Sequence, residues 1–192
     1  MANEDIYLRT IKEMNLPLPS SSEKFQNIQE EGRLKEIKSV KGPGVYIING
    51  DRNGVSETLY VGRTRVTTTH VGERVHKQLT QEDTFRKNMK KNGYTLYTNY
   101  QNYMDLKDTQ KTVYISEVII LTFNKTKKDF LARDLSEILL IAQNDPYFNK
   151  EFAYLSEEER FDKDFKATYE KMTAGELSKE ELVGMQIYNN RD

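Results

Sequence analysis

Hydrophobic positions along the chain switch between strand and helix periods. After a turn at Lys41-Gly42-Pro43-Gly44, the β-branched and aromatic run from Val45 to Asn49 has no helical spacing and predicts the first clear strand. Gly50 to Glu57 is rich in turn-forming residues and Thr58 to Val61 is a second short apolar run. The two runs are expected to form a β-hairpin across a loop of about eight residues. Residues 112–123 (TVYISEVIILTF) are too β-branched for a comfortable helix and predict the central strand of a small sheet. Between these strands, Val71, Val75 and Leu79 share a helical face, and Phe85 and Met89 belong to a second helix ending near Asn92-Gly93. Leu131, Leu135, Ile138, Leu139 and Ala142 make one stripe of a helix from Lys127 to Gln143, which Asp145-Pro146 stops.

The ends of the chain read differently. A short helix is expected around Ile6 to Met14, followed by a polar loop (PLPSSSEKFQ) with the composition of a linker. Beyond residue 150 one or two charged helices are expected, the last near Ser178 and Glu181, which have capping-box spacing. The resulting division is a helical extension and linker over 1–40, one compact domain over 41–150 and a charged helical extension over 151–192. There are no internal repeats.

Composition narrows the chemistry. The 192 residues contain no Cys and only two His, His70 and His76, which excludes disulfides and thiolate-held zinc and makes a histidine-built metal site hard to assemble. A metal here would be held by oxygen, which favours Mg²⁺ or Mn²⁺. No apolar run reaches the roughly 18 residues of a membrane span, and the N-terminus lacks the basic-then-apolar order of a signal peptide. No membrane partner is expected, and the expected location is cytoplasmic.

The formal net charge of −1 hides an uneven distribution. From 61 to 100 there are eight basic residues (Arg63, Arg65, Arg74, Lys77, Arg86, Lys87, Lys90, Lys91) against three acidic ones, a balance of +5, whereas 151–192 carries six basic against eleven acidic, a balance of −5. Either run alone would pass for a solvated helix face. In the basic segment, however, the cations are interleaved with Phe85, Tyr94, Tyr97 and Tyr100, a mixture suited to phosphate contact and base stacking.

Against this background Pro43-Gly44-Val45-Tyr46-Ile47 is succeeded, fourteen residues later from Tyr to Tyr, by Leu59-Tyr60-Val61-Gly62-Arg63-Thr64. The pair resembles the two opening motifs of the GIY-YIG nuclease family, with Val in place of Ile in each. The order of the later elements strengthens the resemblance: Arg74 on a predicted helix, the strand 112–123, Glu137 on the next helix, and Asp145-Pro146-Tyr147-Phe148-Asn149. The resemblance covers roughly residues 40–150. It implies an α/β fold with a small, mainly antiparallel sheet flanked by helices, and hydrolysis of DNA phosphodiesters with a divalent cation. Stand-alone members of this size with helical additions resemble the restriction-type endonucleases of the family. The implied partner is double-stranded DNA, and a homo-oligomer is compatible with it.

By the same resemblance, Glu137 is the metal ligand, Arg74 the phosphate ligand, and Tyr46 and Tyr60 supply hydroxyls near the scissile phosphate, Tyr46 as general base. The residue types suit these roles. Glu137 lies about 200° from Leu135 around its helix, beside Phe130, Leu140 and Ile141, so its carboxylate has apolar neighbours. Arg offers a permanently charged planar fork. A phenol with a pKa near 10 becomes a useful base only when cations depress it. Arg63, Arg65, Lys77, Arg86, Lys87, Lys90 and Lys91 are the candidate DNA-binding cations.

Three departures from the family pattern stand out. The stretch from Tyr60 to Arg74 is a few residues long, so Arg63 or Arg65 could compete with Arg74. The position four after Arg74, often His in the family, is Gln78, and His76 is a candidate substitute. Asn149 is expected to anchor the end of the Glu137 helix, or the site, through hydrogen bonds. The alternatives are a non-catalytic nucleic-acid-binding or regulatory protein on the same scaffold, and a structural domain whose acidic tail binds another protein.

Overall fold

The structure is a computed structural model that describes residues 11–12, 14–64, 70–81 and 83–149. The helices expected beyond residue 150 and most of the one expected around Ile6 to Met14 lie outside the described residues, as does Arg65. The elements in chain order are β1 (Ser21–Gln26), α1 (Arg33–Ser39), β2 (Gly44–Arg52), β3 (Val55–Arg63), α2 (Val71–Thr80), α3 (Thr84–Lys91), β4 (Thr95–Tyr97), α4 (Tyr100–Leu106), β5 (Thr112–Thr122) and α5 (Lys127–Asn144).

As its β-branched run predicts, β5 is the central strand. Along one side it pairs antiparallel with β2; along the other it pairs antiparallel with β1 near its C-terminal end and parallel with the short β4 near its start. With β3 beyond β2, the strand order is β1-β5-β2-β3, and the fold is the α/β arrangement expected, a mostly antiparallel sheet flanked by helices.

The unbroken apolar run in β2 follows from burial on both faces. Tyr46 and Ile48 join Tyr60, the apolar stripes of α2 and α3, and Phe148 in one core cluster, while Val45, Ile47 and Val61 join Leu135 and Leu139 of α5 in the other. Successive strand residues therefore meet different helical layers, and alternation of apolar with polar is lost.

Two local expectations are corrected, and three short elements are added. The polar stretch read as a linker contains β1, an edge strand with only Phe25 buried, so its polar composition reflects a solvent-facing edge. It is held by backbone pairing to β5, by a Ser21–Thr122 hydroxyl contact of 2.6 Å and by a Lys24–Glu117 ion pair of 2.5 Å. The supposed eight-residue loop is mostly strand, because the hairpin turns within Asn53-Gly54, both at positive φ (51° and 80°). Asn-Gly with two left-handed residues is the tight turn that matches strand twist. Finally, α1, β4 and α4 lack a clear periodic signal because each is seven residues or shorter.

The turn is also tied to its surroundings. Asn53 Oδ1 accepts from Thr112 N at 3.0 Å, Asn53 N donates to Thr112 O at 3.1 Å, and Gly54 N donates to the Tyr103 hydroxyl of α4 at 2.7 Å. Asn53→Ala removes the acceptor and places a less tolerant residue at positive φ, so it should lower stability by about 1–2 kcal/mol. Thermal melts monitored by circular dichroism check this, and an unchanged melting temperature would contradict the pinning role.

Candidate active site

Two tyrosines, one from each hairpin strand, meet over a glycine. Tyr46 is the cross-strand partner of Gly62, and Tyr60 precedes Gly62 by two residues, so both rings lie on the face that packs against α2 and α3. A β-carbon at position 62 would stand 2.5 Å from Tyr46 Oη, 2.6 Å from Tyr46 Cζ and 2.9 Å from Tyr60 Cε1. The seat exists because residue 62 has no side chain. The two ring centroids are 6.1 Å apart, and the aromatic contacts continue from Tyr60 to Phe85 of α3 and on to Phe148, each step 5.7 Å. A bulge assists: Ile48 pairs with Tyr60 but Asn49 with Thr58, so Leu59 is the extra residue, and both Leu59 and Tyr60 reach the same core cluster.

Arg74 and Gln78 come from successive turns of α2 and so share a face of that helix. Arg74 Nη1 is ion-paired with Asp83, the N-cap of α3. Gln78 is completely buried; its Oε1 accepts from Phe85 N at 2.8 Å, whereas its Nε2 has no partner of standard geometry. Gln78 nevertheless favours the Tyr46 phenolate, a smaller influence than those of Tyr60, Arg74 and Glu137.

Glu137 approaches from α5, in the opposite helical layer. Its Oε2 accepts from Arg63 Nε at 2.6 Å, and Arg63 Nη1 reaches Asp134 Oδ1 at 3.2 Å, one helical turn earlier. Asp134 also takes Arg133 at 2.7 Å. Arg63 is therefore engaged with two carboxylates of α5.

Four side chains act electrostatically on Tyr46. Burial pushes its phenol well above the ordinary value near 10.0; Tyr60 pushes it further, Arg74 pulls it down, Glu137 pushes up and Gln78 pulls down. The expectation that cations depress this phenol is thus only partly met by the protein's own groups, because desolvation dominates.

Other candidates fall in distinct places. His76 turns towards Thr80 and α1, and burial, with the nearby Lys38 as the smaller cause, lowers its pKa; it is not among the groups acting on Tyr46. Gln78 stands at that place instead. Asn149 grips the backbone of β3 through both ends of its amide, Oδ1 accepting from Val61 N at 2.8 Å and Nδ2 donating to Val61 O at 2.6 Å, while Phe148 N donates to Leu59 O at 3.0 Å. It anchors the segment after α5 to the hairpin. Lys77 on α2 and Lys87, Lys90 and Lys91 on α3 are exposed, and Arg86 donates to Leu79 O at 2.7 Å. These helices pack on the sheet face that carries the tyrosines.

Sequence reasoning did not assign Asp83, Asp134 or the buried role of Gln78. Asp83 precedes Thr84 at a helix start, and Asp134 lies one turn before Glu137, so spacing alone could have raised both. Among the described residues, no group of three or more His, Asp or Glu side chains is placed to hold a metal ion alone. Glu137 offers a single carboxylate, and its Oε2 is already taken by Arg63.

Comparison of the chain with models of known protein families, with curated proteins and with solved structures finds no match.

This geometry sets two expected outcomes. Asn149→Ala leaves the buried Val61 N–H without its acceptor and should cost about 1–3 kcal/mol, measurable by denaturant unfolding; a neutral result would remove the clamp. The raised phenol gives a pH dependence whose sign is fixed. Below the unfolded pKa near 10.0, Tyr46 is protonated in both states and its contribution is fully present. Above it the unfolded chain releases a proton that the folded chain retains, so stability falls as pH rises through the alkaline range. Burial also raises Tyr103 and Tyr114, so Tyr46→Phe should weaken but not abolish that fall. Equal alkaline melting curves for the variant and wild type would contradict the assignment.

Proposed function

We propose that the chain is a divalent-cation-dependent endonuclease that hydrolyses DNA phosphodiesters at the Tyr46–Tyr60 site, acting on double-stranded DNA in the manner of restriction-type enzymes. The observation that carries this reading is that Tyr60, Arg74 and Glu137, drawn from three separate elements, all bear electrostatically on the Tyr46 hydroxyl. The sequence motifs required only their order along the chain. Their shared influence on one hydroxyl is a correspondence beyond that order.

In this reading Glu137 holds Mg²⁺ or Mn²⁺, and the ion, when bound, supplies positive charge to the phosphoryl oxygens and acidifies water. Arg74 presents a guanidinium to the phosphate, Tyr60 orients an oxygen at the site, and Tyr46 handles the proton of the attacking water. Exposed Lys77, Lys87, Lys90 and Lys91 lie on helices that pack on the tyrosine side of the sheet, where they would meet the phosphate backbone of a duplex.

A second reading, a nucleic-acid-binding protein that does not cleave, is favoured by one observation. Tyr46 is held neutral well above pH 10.0, which opposes its use as a base. Plasmid incubated with Mg²⁺ or Mn²⁺, with and without EDTA, separates the two readings. Cleavage that EDTA abolishes supports the nuclease; retarded but intact plasmid supports the binder.

For the nuclease, Glu137→Gln should abolish cutting while leaving DNA affinity largely intact, and near wild-type cutting would remove Glu137 as the ligand. Tyr46→Phe should slow single-turnover cleavage by about 10²- to 10⁴-fold, the usual cost of losing a general base. Tyr114→Phe, on the central strand, should leave the rate unchanged. Equal rates in all three proteins would sink the mechanism. DNA affinity should also fall steeply with salt despite the net charge of −1, because binding uses the local cations.

A further inference from the structure

The cations set against DNA so far lie on α2 and α3, yet the helix in front of them shares their core. Ile37 of α1 and Val40 just after it join Val71 and Val75 of α2 and Tyr46 in one cluster, so α1 covers the tyrosine side of the sheet as the later helices do. The two helices meet closely where α1 ends and α2 begins. Gly72 N donates to Val40 O at 3.2 Å, and a β-carbon at position 72 would stand 2.1 Å from Ile37 O and 3.0 Å from Lys38 O. Gly42 is bound to the same junction, its N donating to His70 Nδ1 at 3.0 Å and its O accepting from Val71 N at 2.9 Å. Lys38 and Lys41 therefore stand beside the first turn of α2.

Charge is sorted along this segment. The acids are gathered around Arg33, which takes Glu30 at 3.3 Å and Glu36 at 2.5 Å, and Glu31 precedes it in the chain. Lys35, Lys38 and Lys41 follow at intervals of three residues; all are exposed, and among the described residues no carboxylate pairs with them. Lys35 and Lys38 lie about 60° apart around the helix, on the flank away from Arg33 and Glu36. Across the junction His76 feels the charge of Lys38, and the neighbouring Lys77 is exposed. Like charges gathered in this way oppose folding. A polyanion laid over them removes that cost.

We infer that Lys35, Lys38 and Lys41 form a second line of phosphate contacts for duplex DNA, beside the line on α2 and α3, so that the two lines hold the two strands bordering one groove. Packed helices lie about 8–10 Å apart axis to axis, and the grooves of B-DNA are roughly 6 and 12 Å wide, so the separation of the lines matches the separation of strands across a groove. Phosphate contacts position a protein on the duplex without reading its sequence. The segment around α1 thus sets how the duplex lies over the Tyr46–Tyr60 site, and not which sequence is chosen. The inference rests on the proposed DNA partner, which the nuclease and the non-cleaving binder share, and is independent of cleavage.

The test is the salt dependence of binding by the full chain to a fluorescein-labelled duplex of arbitrary sequence, in EDTA so that no strand is cut. Lys35→Gln, Lys38→Gln and Lys41→Gln should each reduce the slope of log affinity against log salt by about 1, equally on unrelated duplexes, and the triple variant by about 3. Lys125→Gln with Lys128→Gln, both exposed at the entry to α5 in the opposite helical layer, should leave the slope unchanged. These are surface side chains, so the variants keep the fold, and each single variant tests the assignment without the others. A wild-type slope in the triple variant, or an equal loss in the α5 pair, would overturn the inference. If the triple variant lowers the slope while wild-type protein leaves plasmid intact in Mg²⁺, the nuclease reading fails and the assignment of the three lysines stands. Cleaved plasmid with an unchanged slope gives the reverse, and a wild-type chain that neither binds duplex nor cuts it overturns both.

Discussion

The ring of Tyr46 rests where the side chain of residue 62 would begin, and much of the site's geometry depends on that contact. Because side chains alternate along a strand, a slip of one residue between β2 and β3 would turn Tyr46 to the α5 layer and put Val45 or Ile47 over Gly62. The seat therefore fixes register as well as position. The register in turn sets which backbone groups β3 offers on its outer side, where Leu59 O and the Val61 peptide are taken by Phe148 and Asn149. Through this clamp the end of α5 is tied to the same hairpin, and the rigid helix carries Glu137 with it. Tyrosine seat and carboxylate are thus two ends of one connected set of backbone contacts.

A similar economy governs the junction between α2 and α3. Three links cross it: Gln78 Oε1 to Phe85 N, Arg74 to Asp83, and Arg86 to Leu79 O. Each joins a residue before the bend to one after it, and together they satisfy helix-end groups that would otherwise be orphaned. They also fix how α3 lies against the tyrosines, with Phe85 and Met89 inward and Lys87, Lys90 and Lys91 outward. Two of these side chains, Arg74 and Gln78, also act on the Tyr46 hydroxyl, so changes there will couple stability to electrostatics.

The long apolar segments were legible in the sequence because their signals are local. β5 and α5 are each eleven residues or more, and their composition and stripe leave little choice. β1 was not legible, since its serines and lysine carry no strand signal and its structure comes from pairing with a β5 segment nearly a hundred residues away. The tight hairpin was legible in principle, Asn53-Gly54 being a strong turn signal, but polar residues on the outer ends of the strands masked it. For the site, the motif order pointed to Tyr46, Tyr60, Arg74 and Glu137. It could not reveal that Arg63 would lie across Glu137 and Asp134, or that His76 would face Lys38, because both depend on which way a helix is rotated against the sheet.

The charges around Tyr46 set a condition on the proposed chemistry. The two charged side chains that act on Tyr46 are each already paired, Arg74 with Asp83 and Glu137 with Arg63. Into this setting a phosphodiester would bring one negative charge, and a phenolate at Tyr46 a second, in a place where desolvation already disfavours the first proton loss. Arg74 can turn to the phosphate only by loosening its hold on Asp83, which returns a carboxylate to the balance. On the nuclease reading, a divalent cation is therefore needed to make the total charge acceptable as well as to polarise the phosphoryl oxygens. A cation held at Glu137 would have to displace Arg63 from that carboxylate, which would leave the Arg63 guanidinium to Asp134.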